Sequence, residues 1–248
     1  MKRVSYIFVI FGLLFLAGVL FYAVFRGITP GKSAANNLFI ENQEEVFMED
    51  GLIKLPQPTL EGGMSLTEAL VLRRSDRSYA DQSLTVSEVS QLLWSAQGVT
   101  NERGFRTAPS AGATFPLEMF IMVNNVSGLD KGVYHYNPFN NTLEMVLSED
   151  VSSPLMRASL SQSMIVDAGV VLIFGAVFER TTERYGERGY RYVYNEIGHA
   201  SQNVHLQAAA LGMGTVVIGA YRDEEVEEVL QLGPEIRVLY MMPVGKLD

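Results

Sequence analysis

Residues Arg188 to Leu211 constrain the fold of this chain more than any other stretch. Tyr190, Tyr194, Ile197, Ser201, Val204, Ala208 and Leu211 recur at alternating steps of four and three, the spacing of one face of an α-helix. Other faces carry Ala200, Ala209 and Ala210, so the helix is expected to be buried nearly all round. Gly198, Ala200 and Ser201 would let a second helix approach closely, and Gly212 and Gly214 stop the helix. The same stretch holds Asn195, Glu196, His199, Gln202, Asn203 and His205, and buried polar groups need partners. Two histidines six residues apart are a poor chelating pair, because four is the helical spacing that suits one metal. Internal hydrogen bonding or a subunit interface is the expected use, and no metal site is read.

The N-terminus has a different character. Val4 to Phe25 is an uncharged run of 22 residues, long enough at roughly 1.5 Å per residue to cross a bilayer core of about 30 Å. It is longer than the apolar stretch of a usual signal peptide, although Ser33-Ala34-Ala35 resembles a cleavage site. Residues 1–25 are therefore read as a single transmembrane anchor and the protein as membrane-anchored. The lysine, arginine and α-amino charges before the span outnumber those after it by one, which places the body weakly on the extracytoplasmic side. Residues 26–60, with Gly27, Pro30, Gly31, an acidic stretch, Pro56 and Pro58, read as a tether. Residues 61–248 form the compact domain. The formal charge is −9, yet residues 1–32 hold four basic and no acidic side chains, which leaves −13 for the rest. So acidic a body argues against nucleic acid as a partner. The absence of cysteine excludes disulfides, thiolate metal sites and iron–sulfur clusters.

Within the domain, Ser65-Leu66-Thr67-Glu68 and Thr85-Val86-Ser87-Glu88 are capping boxes. The first opens a helix expected to carry Leu66, Ala69 and Leu70 inward; the second opens one that runs to Gly98. Strands are expected at 119–123, 133–136, 143–147, 170–177, 215–218 and 237–242, and helices at 150–160 and 224–232. Elements that neither alternate strictly nor segregate give an α+β layout. No G-x-G-x-x-G follows a strand and no G-x-S-x-G is present, so neither a Rossmann dinucleotide site nor a serine hydrolase is supported.

Two segments carry candidate chemistry. Arg73-Arg74-Ser75-Asp76-Arg77 sets three guanidiniums and a hydroxyl at a helix end, where they can surround a phosphate or simply answer the helix dipole. Pro109 to Pro116, PSAGATFP, is rich in small residues that would let a flat ligand lie against the backbone, and it equally suits a plain turn.

Taken in series, RRSDRSY, PSAGATFPLE and ERGYRYVYNEIGHASQNVHLQAAALGMGTVVIGAY resemble the nitroreductase superfamily, in its branch of SagB-type dehydrogenases that includes the azoline oxidases of peptide biosynthesis. The resemblance implies a nitroreductase-like α+β fold with a central, mainly antiparallel sheet flanked by helices. It also implies an intertwined homodimer with FMN at the interface, and NAD(P)H or another donor reducing a small acceptor. Arg73, Arg74, Ser75 and Arg77 fall on the family's phosphate segment. Pro109, Ser110, Ala111 and Gly112 fall on the segment lining the flavin ring, often from the other subunit. Val217, Ile218, Gly219 and Ala220 fall on the strand-end loop at the reactive face, and Lys246 on a late basic residue near the phosphate. Gly219 and Ala220 are expected to act through their backbone amides, and Tyr185 and Tyr221 through substrate contact or proton delivery. Azoline oxidases of the branch tend to show a Lys-Tyr pair where this chain has Arg184-Tyr185, and arginine does not serve as a general base. Azoline dehydrogenation is thus the alternative reading, and a flavin- or partner-binding module of low turnover is a third.

Overall fold

In the computed structural model, residues 47–49 and 51–248 are described. The expected anchor over 1–25 lies outside the described residues, and among those residues no helix is long and apolar enough to cross a membrane. The strands are β1 (Phe47–Glu49), β2 (Leu52–Lys54), β3 (Leu84–Thr85), β4 (Leu117–Val123), β5 (Val126–Ser127), β6 (Gly132–Asn137), β7 (Thr142–Leu147), β8 (Val170–Ala176), β9 (Met213–Thr215) and β10 (Arg237–Lys246). Eight of them form one sheet in the order β1-β2-β7-β6-β4-β8-β10-β9, and every neighbouring pair is antiparallel. β3 and β5 make a separate parallel pair.

Every residue of β8 is buried, because the sheet is covered on both faces and each strand sends alternate side chains into two cores. On β4, Met119, Ile121 and Val123 enter one core, while Phe120 and Met122 enter the other. The first core is closed by α2 (Val86–Gln97) and α6 (Arg188–Ala210) through Leu92, Leu93, Ile197, Ala200 and Val204. The second is closed by α3 (Ser152–Ala158), α4 (Met164–Asp167) and α7 (Asp223–Leu230) through Leu155, Ile165, Val226 and Leu230. The remaining helices are α1 (Leu66–Leu72) and α5 (Glu179–Tyr185). The Thr85–Glu88 capping box is formed in both directions, whereas at Ser65 only the side chain's bond from Glu68 N is made.

Three expectations change. The compact domain begins before Glu61: β1 and β2 join the sheet, Ile53 and Leu55 are buried, and Leu55 N donates to Asn141 O at 2.9 Å. Pro56 O then accepts from Ser90 Oγ at 2.6 Å and Thr59 N donates to Gln91 Oε1 at 2.8 Å. The acidic, proline-bearing composition masked strands of only three residues. Secondly, α1 turns only Ala69 inward, and Leu66, Leu70, Val71 and Leu72 are all more than half exposed. Thirdly, α6 is buried on one side alone. Tyr190 and Tyr194 flank the buried Phe178 ring at 5.2 and 5.7 Å between centroids, yet both stay open to solvent on their outer faces. Asn195, Gly198, His199 and Gln202 are exposed too.

Candidate active site

The segment leaving α1 is strapped across the β9–β10 end of the sheet. Asp76 N donates to Thr215 O at 3.0 Å and Ala80 N to Lys246 O at 2.9 Å. The Tyr79 hydroxyl reaches Asp76 O and Pro243 O, each at 3.0 Å. Close packing requires glycine opposite the strap: a Cβ on Gly245 would stand 2.6 Å from Tyr79 Cγ, and one on Gly214 2.8 Å from Asp76 Cβ.

The basic side chains of this strap divide their work. Arg74 donates to Val71 O and Arg73 O, both at 2.8 Å, so it serves the end of α1. Arg73 lies beside the buried His205 of α6. Burial, then the Arg73 charge, hold the His205 imidazole below its ordinary pKa, with Asp76 acting the other way. His205 Nδ1 is buried without a partner. Arg77 lines a cleft of about 430 Å³ together with Asn124, Lys131 and Asp167, and Ser75 is exposed. Among the described residues none of the three arginines is ion-paired, although the chain carries 28 carboxylates. Lys246 is different: its ammonium is paired with Glu88 in the first turn of α2.

The Pro109–Pro116 segment is a tight loop held from three sides. Gly112, Ala113 and Phe115 have φ of 59°, 54° and 45°, a left-handed region costly for Ala and Phe. Ser110 Oγ accepts from Phe115 N at 2.9 Å and closes the loop on itself. From α5, Arg180 donates to Phe115 O and Arg184 to Gly112 O, both at 3.1 Å, and Thr181 Oγ1 meets Thr114 Oγ1 at 2.8 Å. Tyr185 Oη sits over Gly112, 2.4 Å from where a Cβ would be. From α6, the carboxyl of Glu196 faces the Ser110 hydroxyl.

Within one chain this loop and the strap meet α6 at the two edges of its buried face. Glu196, beside the loop, and His205, beside the strap, are nine residues apart. That spacing is about 13 Å along the axis and two and a half turns, hence half a turn in direction.

The strand-end loop lies next to the strap, a few residues beyond Thr215. Ile218 is buried and exchanges two hydrogen bonds with Met241, at 2.8 and 3.0 Å. Val217 is partly buried, while Gly219 and Ala220 are exposed. Among the described residues the amides of Gly219 and Ala220 meet no acceptor. Tyr221 does not fit its expected role. Its hydroxyl donates to Val238 O at 2.8 Å, and burial, reinforced by Asp223, pushes its pKa up, so it holds its proton inside the second core.

The Nitroreductase family profile matches residues 70–246. The chain belongs to the nitroreductase family. A protein of Methanocaldococcus jannaschii named as a nitroreductase is 47% identical over 183 residues, 74% of this chain and 91% of that protein. The microcin B17-processing protein McbC of Escherichia coli is 29% identical over 155 residues, 60% of this chain and 57% of McbC. The FMN reductase (NADPH) of Bacillus subtilis is 24% identical over 189 residues, 72% and 64% of the two chains. Among solved structures, a nitroreductase of Ralstonia eutropha superposes with a TM-score of 0.69 at 25% identity, covering 82% of this chain and 94% of that one. The fold is therefore the nitroreductase-like α+β fold, in a family of oxidoreductases.

Sequence reasoning marked His205 and Glu196 only as polar residues on a long helix, and it missed Arg180 and Arg106. Arg180 and Arg184 are four apart on one face of α5, a helix of seven residues and too short to show periodicity. Arg106, which stacks over Phe115 at 4.7 Å, stands in no motif.

Proposed function

We propose that this protein is an FMN-dependent oxidoreductase that takes hydride from NAD(P)H or another donor and delivers it to a small acceptor. The observation that carries the reading is the strap: unpaired arginines in an acidic chain, fixed against the sheet, beside a buried His205 nitrogen that lacks a partner. That donor set fits a phosphate. Arg73, Ser75 and Arg77 would hold it, with Lys246 within the same strand end. Bound FMN would supply two-electron hydride chemistry that side chains lack. The exposed amides of Gly219 and Ala220 would donate to the polar edge of the ring, and Pro109–Gly112 would line its face.

Because the loop and the strap meet α6 at opposite edges of its buried face, about 13 Å apart along the axis, a ring-lining role for Pro109–Gly112 calls for the loop of a second copy. The exposed apolar side chains of α1 and the open face of α6 supply a surface for that copy. A homodimer with shared sites is the assembly that satisfies both observations.

The purified protein reconstituted with FMN should be yellow and should bleach on mixing with NADPH or NADH under argon. Failure to retain FMN at micromolar concentrations ends this reading, and retention without bleaching by either nucleotide moves the donor elsewhere.

Similarity to McbC favours one second reading, oxidation of azoline rings in peptides. Arg184, whose guanidinium is engaged with Gly112 O, supplies no base there. Conversion of an azoline-containing peptide to its azole, with a mass loss of two hydrogens, would establish the second reading over the first.

A further inference from the structure

A second cleft, of about 280 Å³, has Gln97, Arg106, Glu118, His135, Phe139 and Arg180 in its walls. No wall residue belongs to Arg73–Ala80, to β9 or to residues 217–220, so this cleft is separate from the strap and the strand-end loop. Arg106 is half-buried and flanked by two rings, Phe115 at 4.7 Å and Phe139 at 5.4 Å. Among the described residues no carboxylate stands within 4.0 Å of its guanidinium. Glu118 and Glu196 act on its charge only from farther away.

The side-chain acceptors of the walls are already in use. Glu118 spends Oε1 on Arg180 at 2.5 Å and Oε2 on His135 at 2.8 Å. Gln97 Oε1 accepts from Arg106 Nη1 at 3.0 Å, and Asn137 Oδ1 accepts from Phe139 N at 2.9 Å. The Tyr136 hydroxyl is turned to Asn141 Oδ1 at 3.0 Å. Two donors are left over. Gln97 Nε2 and Arg106 Nε are both buried without a partner, and Gln97 as a whole is 1% exposed. Glu196 Oε1 is unpartnered as well, but its side chain lies outside the walls. Buried donors nearly always find an acceptor, so the cleft lacks one acceptor group that its own walls do not provide.

The donors define the chemistry of that group. With Nη1 held by Gln97, Arg106 has its side-on edge to offer, Nε with Nη2. Two parallel N–H groups on that edge match the two oxygens of a carboxylate. Arg106 and Arg180 against Glu118 leave the walls one positive charge in excess, which suits a monoanion. The flanking rings and a volume at the small end for ligand sites suit an apolar body of about one ring. We propose that this cleft binds a small carboxylate carried on an apolar or aromatic body, with Arg106 as the fork and Gln97 Nε2 as the third donor. Phe139, 66% exposed on the turn between β6 and β7, is the wall that swings aside to admit it. The site needs no flavin and does not rest on the FMN reading.

The test is equilibrium dialysis of the full chain, without added flavin, against radiolabelled benzoate. Benzoate should bind one per chain, and benzamide, its neutral isostere, should compete at least tenfold more weakly. Arg106→Lys keeps the charge but not the fork, and should weaken benzoate at least tenfold. Gln97→Glu is isosteric and supplies the missing carboxylate from the wall itself, so it should abolish binding. Arg103→Met removes an exposed arginine three residues away and should leave the affinity unchanged. Circular dichroism checks that each variant is folded; if Arg106→Lys is not, Gln97→Glu and the benzamide comparison still decide.

No benzoate bound at millimolar concentration overturns the proposal, as does benzamide binding equally well. Undiminished binding in folded Gln97→Glu or Arg106→Lys places the ligand elsewhere and also ends it. Displacement of benzoate by equimolar inorganic phosphate would assign it to the strap, with the same result.

Discussion

The guanidinium of Arg184 donates to the carbonyl of Gly112 at 3.1 Å, and the Tyr185 hydroxyl closes over the same residue. Gly112 at φ 59° therefore has neither room nor torsional freedom for a side chain. Gly112→Ala should cost about 1–3 kcal/mol in chemical denaturation and weaken FMN binding. Unchanged flavin affinity in this variant would remove the loop from the site.

Arg73→Ala with Arg77→Ala should strip flavin while leaving the domain folded. Hydrogen bonds to charged groups are worth roughly 1.5–3 kcal/mol each, so FMN affinity should drop by at least about a hundredfold. Arg74→Ala, whose side chain is spent on the end of α1, should lose far less. Equal losses for the three would show that the strap does not divide its work as its hydrogen bonds indicate.

The exposed leucines of α1 test the assembly. Leu70→Glu places a charge in the middle of the apolar surface formed with Leu66, Val71 and Leu72. Sedimentation should show a shift from dimer to monomer, with flavin lost in proportion. A dimer that persists with its flavin would move the contact to another face.

Thr85→Ala should remove one side of the reciprocal capping box at the start of α2, at a cost of about 1 kcal/mol. It should also loosen Glu88, the partner of Lys246. Urea denaturation with an unchanged slope is the check, and no loss of stability would mean that water replaces the cap.

Glu196 makes a further prediction about stability. Its folded-state pKa is raised from 4.5 to about 7, so the folded protein binds more protons than the unfolded chain between those values. Its contribution is complete below about pH 4.5 and is lost as pH rises through 7. The loss is on the order of 3 kcal/mol, at about 1.4 kcal/mol per unit. The stability difference between wild type and Glu196→Gln should shrink or reverse across this window, and a constant difference would place the shift elsewhere.

The long helix, the second capping box and the 133–147 hairpin were legible because each depends on local rules of spacing and turn chemistry. α6 runs from Arg188 to Ala210 and β6–β7 pair across the expected turn. The strap was legible as a cluster of arginines but not as a strap. Its anchor points Thr215 and Lys246 are remote in sequence, and nothing local announces a backbone bond across that distance. The exposed faces of α1 and α6 were misread for one physical reason: periodic apolar and small residues mark a surface that favours withdrawal from water without stating what, if anything, covers it. The loop clamp escaped because Arg180 and Arg184 do their work on backbone carbonyls, which leave no mark in composition.

The strap has a consequence for how the protein comes into being. Arg73–Ala80 are synthesised well before Thr215, Pro243 and Lys246, which pin them and leave the ribosome up to 166 residues later, between Ala80 and Lys246. Contacts of such separation are formed late in folding. During translation the three guanidiniums have no sheet to lie on. A nascent chain carrying every arginine of the cluster should still be colourless, and competence to hold a phosphate should appear in a single step when β10 enters the sheet.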